Sequence, residues 1–362
     1  MKSESVQFLT QCAINSSWTF LIILAKDEIG LSDNAIAIVA AIFAFTNFFS
    51  AYFFGRASDF YGRRIFLYIG LASSAIAFFF QIWIWDFWSY LLIRILTGIC
   101  MGIFPAALIA YVHESKSKLG TFSAYGALGW LVGMLVSGAI GYYFFLRSVF
   151  IFSTLMFIIA FVIALKLPPI GHKPIKVAIF PKHIIKKNLG VLTGVLIRHS
   201  GAHMMWVFWP LFLYSLGANL LWVGIIQSIN AITQFGTMYF IGDKIKSENS
   251  IYLGLCLSGF TFLSFTLAQD YLQILPTQIL LGMSWSFMYV GALRYINDNN
   301  VERGTATGIL SSVISISSVV GSIMAVVLIA LLGEYRWVIF GASIMAFCGL
   351  AMYHLLKNDN GK

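Results

Sequence analysis

Two long apolar segments, 34–54 and 65–84, flank the stretch Gly55-Arg56-Ala57-Ser58-Asp59-Phe60-Tyr61-Gly62-Arg63-Arg64. Glycine tolerates backbone angles that other residues avoid, so the two glycines favour a sharp reversal of the chain. A buried core does not tolerate three arginines and an aspartate so close together, and this charge predicts a turn outside the apolar layer. Because short cytoplasmic connections of membrane proteins are rich in Lys and Arg, we expect the turn to be cytoplasmic.

The composition of the whole chain is too apolar for a soluble domain. Of its 362 residues 59% are hydrophobic and 10% are charged, whereas soluble domains are about 25% charged. A chain of this composition is expected to cross a membrane in spans of about 20 apolar residues each. The net charge of +9 is dispersed through short connections and forms no basic face, which excludes nucleic acid as a partner.

Twelve apolar segments are long enough to be membrane spans. With both termini in the cytoplasm, the predicted outer connections contain only Lys26, Arg147 and Arg336, and nearly all other Lys and Arg residues lie in inner ones. This bias predicts a multi-pass protein of the plasma (inner) membrane with both termini cytoplasmic. The predicted spans are 6–25, 34–54, 65–84, 89–111, 122–146, 148–167, 188–216, 220–241, 251–268, 272–293, 305–332 and 336–356.

The two halves of the sequence repeat weakly. A constant offset pairs Gly120-Thr121 with Gly304-Thr305, Arg94 with Gln278, and Gly98 with Gly282. Half-to-half duplication is typical of transporters built from repeats. The longest connection, 168–187, is rich in lysine and proline. We therefore predict an N-terminal six-helix half at 1–167, a basic cytoplasmic linker at 168–187 and a C-terminal six-helix half at 188–362.

The charged stretch also resembles the signature loop of a known family. Its pattern Gly-x-x-x-Asp-x-x-Gly-Arg-Arg matches the loop between spans two and three of the major facilitator superfamily of secondary transporters, at Gly55, Asp59, Gly62, Arg63 and Arg64. The resemblance implies an all-α membrane protein with twelve transmembrane helices in two pseudo-symmetric six-helix bundles that expose one central site alternately. It also implies that this stretch is a cytoplasmic gate, in which Asp59 accepts hydrogen bonds from backbone or arginine of the opposing half.

Arg94 lies inside predicted span four, where a charge needs a polar cavity or a partner. The run Arg94-x-x-x-Gly98-x-x-x-Gly102 resembles the family's span-four motif, with Thr97 in place of the usual Gln. That resemblance implies that Arg94 faces the central cavity and takes part in substrate binding or coupling. The alternative, that Arg94 only fixes the packing of neighbouring helices, stays open.

Predicted span seven contains the densest group of polar and aromatic residues. Arg198 lies about 15 Å along the span, close to the membrane midplane. His199, His203 and Trp206 follow one helical face and are predicted to line a cavity. Histidine titrates near neutral pH, so a proton relay through this pair is an alternative to neutral, hydrogen-bonded rings. We expect no metal site here, because no third ligand is nearby.

Spans one and ten supply further candidates. Asn15 belongs to a polar run in span one, and Gln278 and Tyr289 belong to another in span ten. Family architecture implies that spans one, four, seven and ten surround the pathway. The predicted spans contain no Asp or Glu. A pathway with two arginines and no carboxylate favours anions or neutral amphiphiles over cations.

These observations predict a transporter that moves a small organic solute by alternating access, with efflux slightly favoured over uptake. The alternative is an organic-anion or metabolite uptake transporter, or a uniporter, that uses Arg94 and Arg198. An intramembrane enzyme is not expected, because no catalytic set is present, and duplication argues against a channel. We expect a monomer in a lipid bilayer with a small-molecule substrate and no cofactor; protons stay open as a coupling ion.

Overall fold

The computed structural model describes residues 2–171 and 174–359, and every regular element in that part of the chain is helical. A π-helical turn, Leu24–Glu28, extends the first helix, and a lone residue, Phe104, separates the fourth from the fifth. The α-helices are α1 Lys2–Ile23, α2 Asp33–Tyr61, α3 Arg63–Phe80, α4 Phe87–Ile103, α5 Pro105–Glu114, α6 Leu119–Tyr143, α7 Ser148–Leu165, α8 Lys182–Lys187, α9 Leu189–Ser215, α10 Leu220–Phe240, α11 Ser247–Leu267, α12 Ile274–Asn299, α13 Arg303–Leu332 and α14 Tyr335–Asp359.

Each predicted span coincides with a long helix, except span 89–111, which coincides with α4 and α5 together. Within the described residues, ten helical segments are long and apolar enough to cross a membrane, with α4 and α5 counted together as Phe87–Glu114. The other two predicted spans are α9 and α10, with 27 and 21 residues, which is also the length of a span. The break between α4 and α5 has a local cause, because Pro105 occupies the first position of α5 and has no backbone N–H to continue α4.

The predicted turn at 55–64 is wrong in extent and in burial. Helix α2 continues to Tyr61, and Gly62 alone separates it from α3, with a φ of 100° that favours glycine. Gly55 lies inside the helix, where an added Cβ would meet Gly304 O at 2.5 Å. Asp59 and Arg63 are 0% and 6% exposed. Burial is tolerated because the two side chains pair with each other, which the sequence argument did not consider.

The described helices form two compact units. The first comprises the chain up to Ala178 together with Asn300–Ser312, and the second comprises Ile179–Asn299 and the chain from Val313 onward. In the first, α1 packs on α6 and α7, α2 packs on α4, and α3 packs on α7. In the second, α9 packs on α14, and α11 packs on α12 and α14. The predicted boundaries at 167 and 188 stay a prediction.

Close helix packing in the second unit depends on Gly254. A Cβ at this position would lie 2.7 Å from Cα of Met288 on α12, so we expect Gly254→Ala to force the helices apart and to lower the free energy of unfolding by about 1–3 kcal/mol. Gly236→Ala is the matched control, because a Cβ there meets nothing within 4 Å. Thermal unfolding of both purified variants, followed by tryptophan fluorescence, checks this. Equal stability of the two variants would contradict it.

Candidate substrate site and helix-end ion cluster

Arg94 is held in the first unit by aromatic rings. Gly98, one turn later on α4, lets α2 approach so closely that an added Cβ would lie 2.8 Å from the carbonyl oxygen of Phe43. The guanidinium carbon of Arg94 consequently lies 3.9 Å from the Phe43 ring centre and 5.0 Å from that of Trp18. Arg94 is 5% exposed, and its Nε has no hydrogen-bond partner among the described residues. Cation–π contact thus replaces hydrogen bonding at Nε.

Arg198 is the corresponding buried cation of the second unit. Its Nε donates a hydrogen bond to Ser258 Oγ at 2.8 Å, and its guanidinium carbon lies 5.3 Å from the Phe262 ring centre and 5.6 Å from that of Trp285. The side chain is 2% exposed. No described carboxylate forms an ion pair with it. An unpaired buried charge is costly, and an arriving anion would compensate it.

Beside Arg198, three rings form a continuous stack, called here the aromatic stack: His199, Trp285 and Tyr289. The ring centres of His199 and Trp285 are 5.0 Å apart at an interplanar angle of 27°, and those of Trp285 and Tyr289 are 5.1 Å apart at 11°. His203 meets His199 edge-on at 4.7 Å. The Nδ1 atom of His199 is buried without a hydrogen-bond partner in the described chain. The cluster therefore places three stacked rings next to a buried cation.

The remaining predicted site residues have other surroundings. Asn15 donates to the Gln11 carbonyl of its own helix at 2.8 Å, which is local helix bonding. Trp206 lies edge-on to Trp209, 5.6 Å between ring centres, and packs against an apolar core. Gln278 is fully buried, and neither of its amide atoms has a partner among the described residues. Gln278 is thus a buried amide on α12 whose donor and acceptor are both unsatisfied.

Some residues of the cluster were missed by sequence reasoning. Ser258 and Phe262 on α11 contact Arg198, but nothing in the sequence connects α11 to α9. Trp285 belongs to the polar and aromatic run predicted in span ten, and it precedes Tyr289 by one helical turn and therefore shares its face. Among the described residues, no group of three or more His, Cys, Asp or Glu side chains gathers as a metal site would require.

The charged stretch takes part in what we call the helix-end ion cluster: Asp59, Arg63 and Glu114 at the N-terminus of α13. Asp59 accepts hydrogen bonds from the backbone N–H of Gly304 at 3.0 Å and of Thr305 at 2.6 Å, and from the Thr305 hydroxyl. Arg63 pairs with Asp59 at 2.6 Å and with Glu114 at 2.9 Å. A carboxylate at a helix N-terminus satisfies free N–H groups and complements the helix dipole.

The segment that follows α7 is held against the same helix end. The backbone N–H of Ile175 donates to the carbonyl oxygen of Asp59 at 2.9 Å, and Arg56 Nε donates to the carbonyl oxygen of Val177 at 2.7 Å. Arg64 turns elsewhere, since its Nε donates to the Tyr68 hydroxyl at 2.8 Å. Of the three arginines in the stretch, only Arg63 therefore belongs to the helix-end ion cluster.

Long apolar helices and buried cations define a multi-pass membrane protein with polar groups inside its bundles, as a transporter of small molecules requires. Comparison with known proteins agrees. The family model of the Major Facilitator Superfamily matches residues 5–300, and the chain belongs to that family. The predicted family and the predicted twelve-helix fold are thus confirmed. Members of this family are transporters of small molecules rather than enzymes.

Similar proteins extend over nearly the whole chain. Multidrug resistance protein MdtG of Salmonella schwarzengrund (strain CVM19633) is 24% identical over 380 residues, which cover 98% of this chain and 92% of that protein. The protein of the same name from Salmonella arizonae is 23% identical with the same coverage. Among solved structures, the human organic anion transporter MFSD10 (TETRAN) has a TM-score of 0.80 at 14% identity and covers 97% of this chain and 98% of that one.

Proposed function

We propose that the protein exports small organic solutes across the inner membrane by alternating access. The observation that carries this proposal is the pairing of an uncompensated buried cation, Arg198, with the aromatic stack. Rings of this kind accept many flat apolar ligands, because stacking depends on shape more than on hydrogen bonding. The relatives named multidrug resistance proteins support export over uptake, at 24% identity.

Each candidate residue has a proposed part in binding. Arg94 and Arg198 attract anionic or electron-rich groups, and the unsatisfied amide of Gln278 offers a donor and an acceptor. His199 and Tyr289 present their rings to the flat part of the solute. Asn15, His203 and Trp206 complete the proposed set.

A second candidate function is the uptake or uniport of an organic anion. The specific observation in its favour is that no described carboxylate pairs with Arg94 or Arg198. An anion would then supply the missing partner charge at either guanidinium, and release of the anion would restore the unpaired state. This candidate shares its binding residues with the first and differs in the direction of transport.

The helix-end ion cluster is proposed as a gate on the cytoplasmic side, with both termini on that side. Its contacts are few, directional and charge-assisted, so they can break and reform as one unit during a transport cycle. His199 is the proposed proton-binding residue, because its Nδ1 has no hydrogen-bond partner within the described structure. A proton-coupled exporter would move solute faster when protons flow inward.

Transport in proteoliposomes tests direction and coupling together. Vesicles containing protein of one known orientation are loaded with a panel of fluorescent aromatic anions, cations and neutral amphiphiles, and the loss of each dye is followed with and without a pH gradient. Export predicts dye movement from the face carrying the termini to the other face. Accumulation in the opposite direction would favour organic-anion uptake. Absence of saturable movement for every dye, with folded protein, would remove both candidates.

A further inference from the structure

A cavity of about 510 Å³ lies in the first unit where the end of α2 meets the segment Lys176–Ala178, and we call it the linker cavity. Two cations line it, Arg56 from α2 and Lys176 from the segment after α7. The aromatic side chains of Phe60 and Tyr61 also line this cavity. None of its lining residues is a carboxylate, so no lining side chain neutralises the positive charges of Arg56 and Lys176.

The geometry around Arg56 leaves part of its guanidinium available. Its Nε donates to the carbonyl oxygen of Val177, which fixes the side chain at the wall of the cavity. Neither terminal nitrogen of Arg56 forms an ion pair with a described residue. The nearest acid along the chain, Asp59, is fully buried in the helix-end ion cluster. Arg56 therefore has donors to offer to an external anion.

An apolar path leads from the linker cavity along the outside of α2. Phe45, Phe49 and Phe53 repeat every four residues, and they are 55%, 39% and 47% exposed. Ring centres are 4.8 Å apart for the first two and 6.4 Å apart for the last two. Ala57 continues this face into the cavity, where its small side chain leaves room. On a membrane-spanning helix such a face meets acyl chains.

We propose that the linker cavity binds one anionic phospholipid. Its phosphate lies between Arg56 and Lys176, Tyr61 lies at the level of the glycerol, and one acyl chain follows Phe53 and Phe49. Charge complementarity favours an anionic lipid over a zwitterionic one, because two cations face one phosphate without a competing acid. The apolar path favours a lipid over a free phosphate ion. The proposal is independent of the solute that the protein transports.

Native mass spectrometry of the purified protein in detergent tests this site. Phosphatidylglycerol is titrated against phosphatidylcholine with the same acyl chains, and inorganic phosphate is added as a competitor. Each cation near an anionic headgroup changes affinity by about fivefold, so with two cations we expect phosphatidylglycerol to bind about 25-fold more tightly than phosphatidylcholine. Arg56→Gln with Lys176→Gln removes that preference. Lys182→Gln, an exposed lysine of the same connection outside the cavity, keeps it.

Three outcomes would overturn the proposal. These are equal binding of the two lipids to the parent protein, an unchanged preference in the double variant, and displacement of the lipid by millimolar phosphate. The last would identify a site for free anions. If the double variant does not fold, Lys176→Gln alone decides the matter, because its side chain is exposed and its loss should lower the preference about fivefold.

Discussion

Asp59→Asn is expected to lower the rate of transport by about tenfold or more while the protein still reaches the membrane. Asparagine keeps the size of the side chain and one carbonyl oxygen, but it loses the charge that holds Arg63 at 2.6 Å and the second acceptor for Thr305. Removing one partner of a buried ion pair costs about 3–5 kcal/mol when the other charge is left alone, and the cost is smaller here because Arg63 keeps its ion pair with Glu114. If the helix-end ion cluster is a gate, this cost shifts the balance between its closed and open states.

Asp86→Asn is the matched control. Asp86 also accepts a backbone N–H at a helix N-terminus, from Ser89 at 2.9 Å, but it is exposed and lies outside the spans. Hydrogen bonds from the Ser89 hydroxyl and backbone hold the pKa of Asp86 below its usual range, so it is charged at neutral pH. Asparagine caps helices as well as aspartate does, and we expect normal transport. Initial rates in proteoliposomes compare the two, and unchanged transport by Asp59→Asn at normal expression would rule out the gate.

The positions of the helices were predictable because the apolar composition of each segment directly indicates a membrane span. A run of about 20 apolar residues has one stable arrangement in a bilayer, so each of the spans found in the sequence is a helix in the structure. The stretch around Asp59 was less predictable. Gly55 and Gly62 have the same identity and a similar sequence context, but Gly62 breaks the helix and Gly55 permits a close approach. The two roles differ because Gly55 packs against Gly304, which is 249 residues further along the chain.

The same limit applies to the candidate site. The helical period predicts that His199 and His203 share a face, and their rings do meet at 4.7 Å. The contacts of Arg198 with Ser258 and Phe262 depend on packing between α9 and α11, and no local pattern encodes such a pairing. The absence of acids from the predicted spans was visible in the sequence, and it is why Arg198 stands unpaired among the described residues.

Arg198→Met is expected to weaken the binding of anionic solutes about 30-fold or more and, at the same time, to raise the unfolding temperature of the solute-free protein. Methionine has a similar length and fills the space beside Phe262 and Trp285 without a charge. Replacing buried charges by apolar residues of similar volume is often neutral or stabilising by about 1–4 kcal/mol. Losing the cation that pairs with a bound anion costs about 2–5 kcal/mol, which is about a 30-fold loss of affinity or more.

Opposite signs of the two effects distinguish a binding residue from a packing residue. If Arg198 only holds α9 against α11 through Ser258, then Arg198→Met lowers stability and leaves affinity unchanged in the protein that remains folded. Arg198→Lys should keep part of the affinity, because it keeps the charge but loses the planar donor geometry. Arg336→Ala is the control, since its guanidinium bonds the carbonyl oxygens of Thr266 and Ala268 and it should reduce stability alone. Anion titrations and thermal unfolding of the four proteins separate these outcomes, and anion affinity that stays unchanged in Arg198→Met would exclude the organic-anion candidate at this residue.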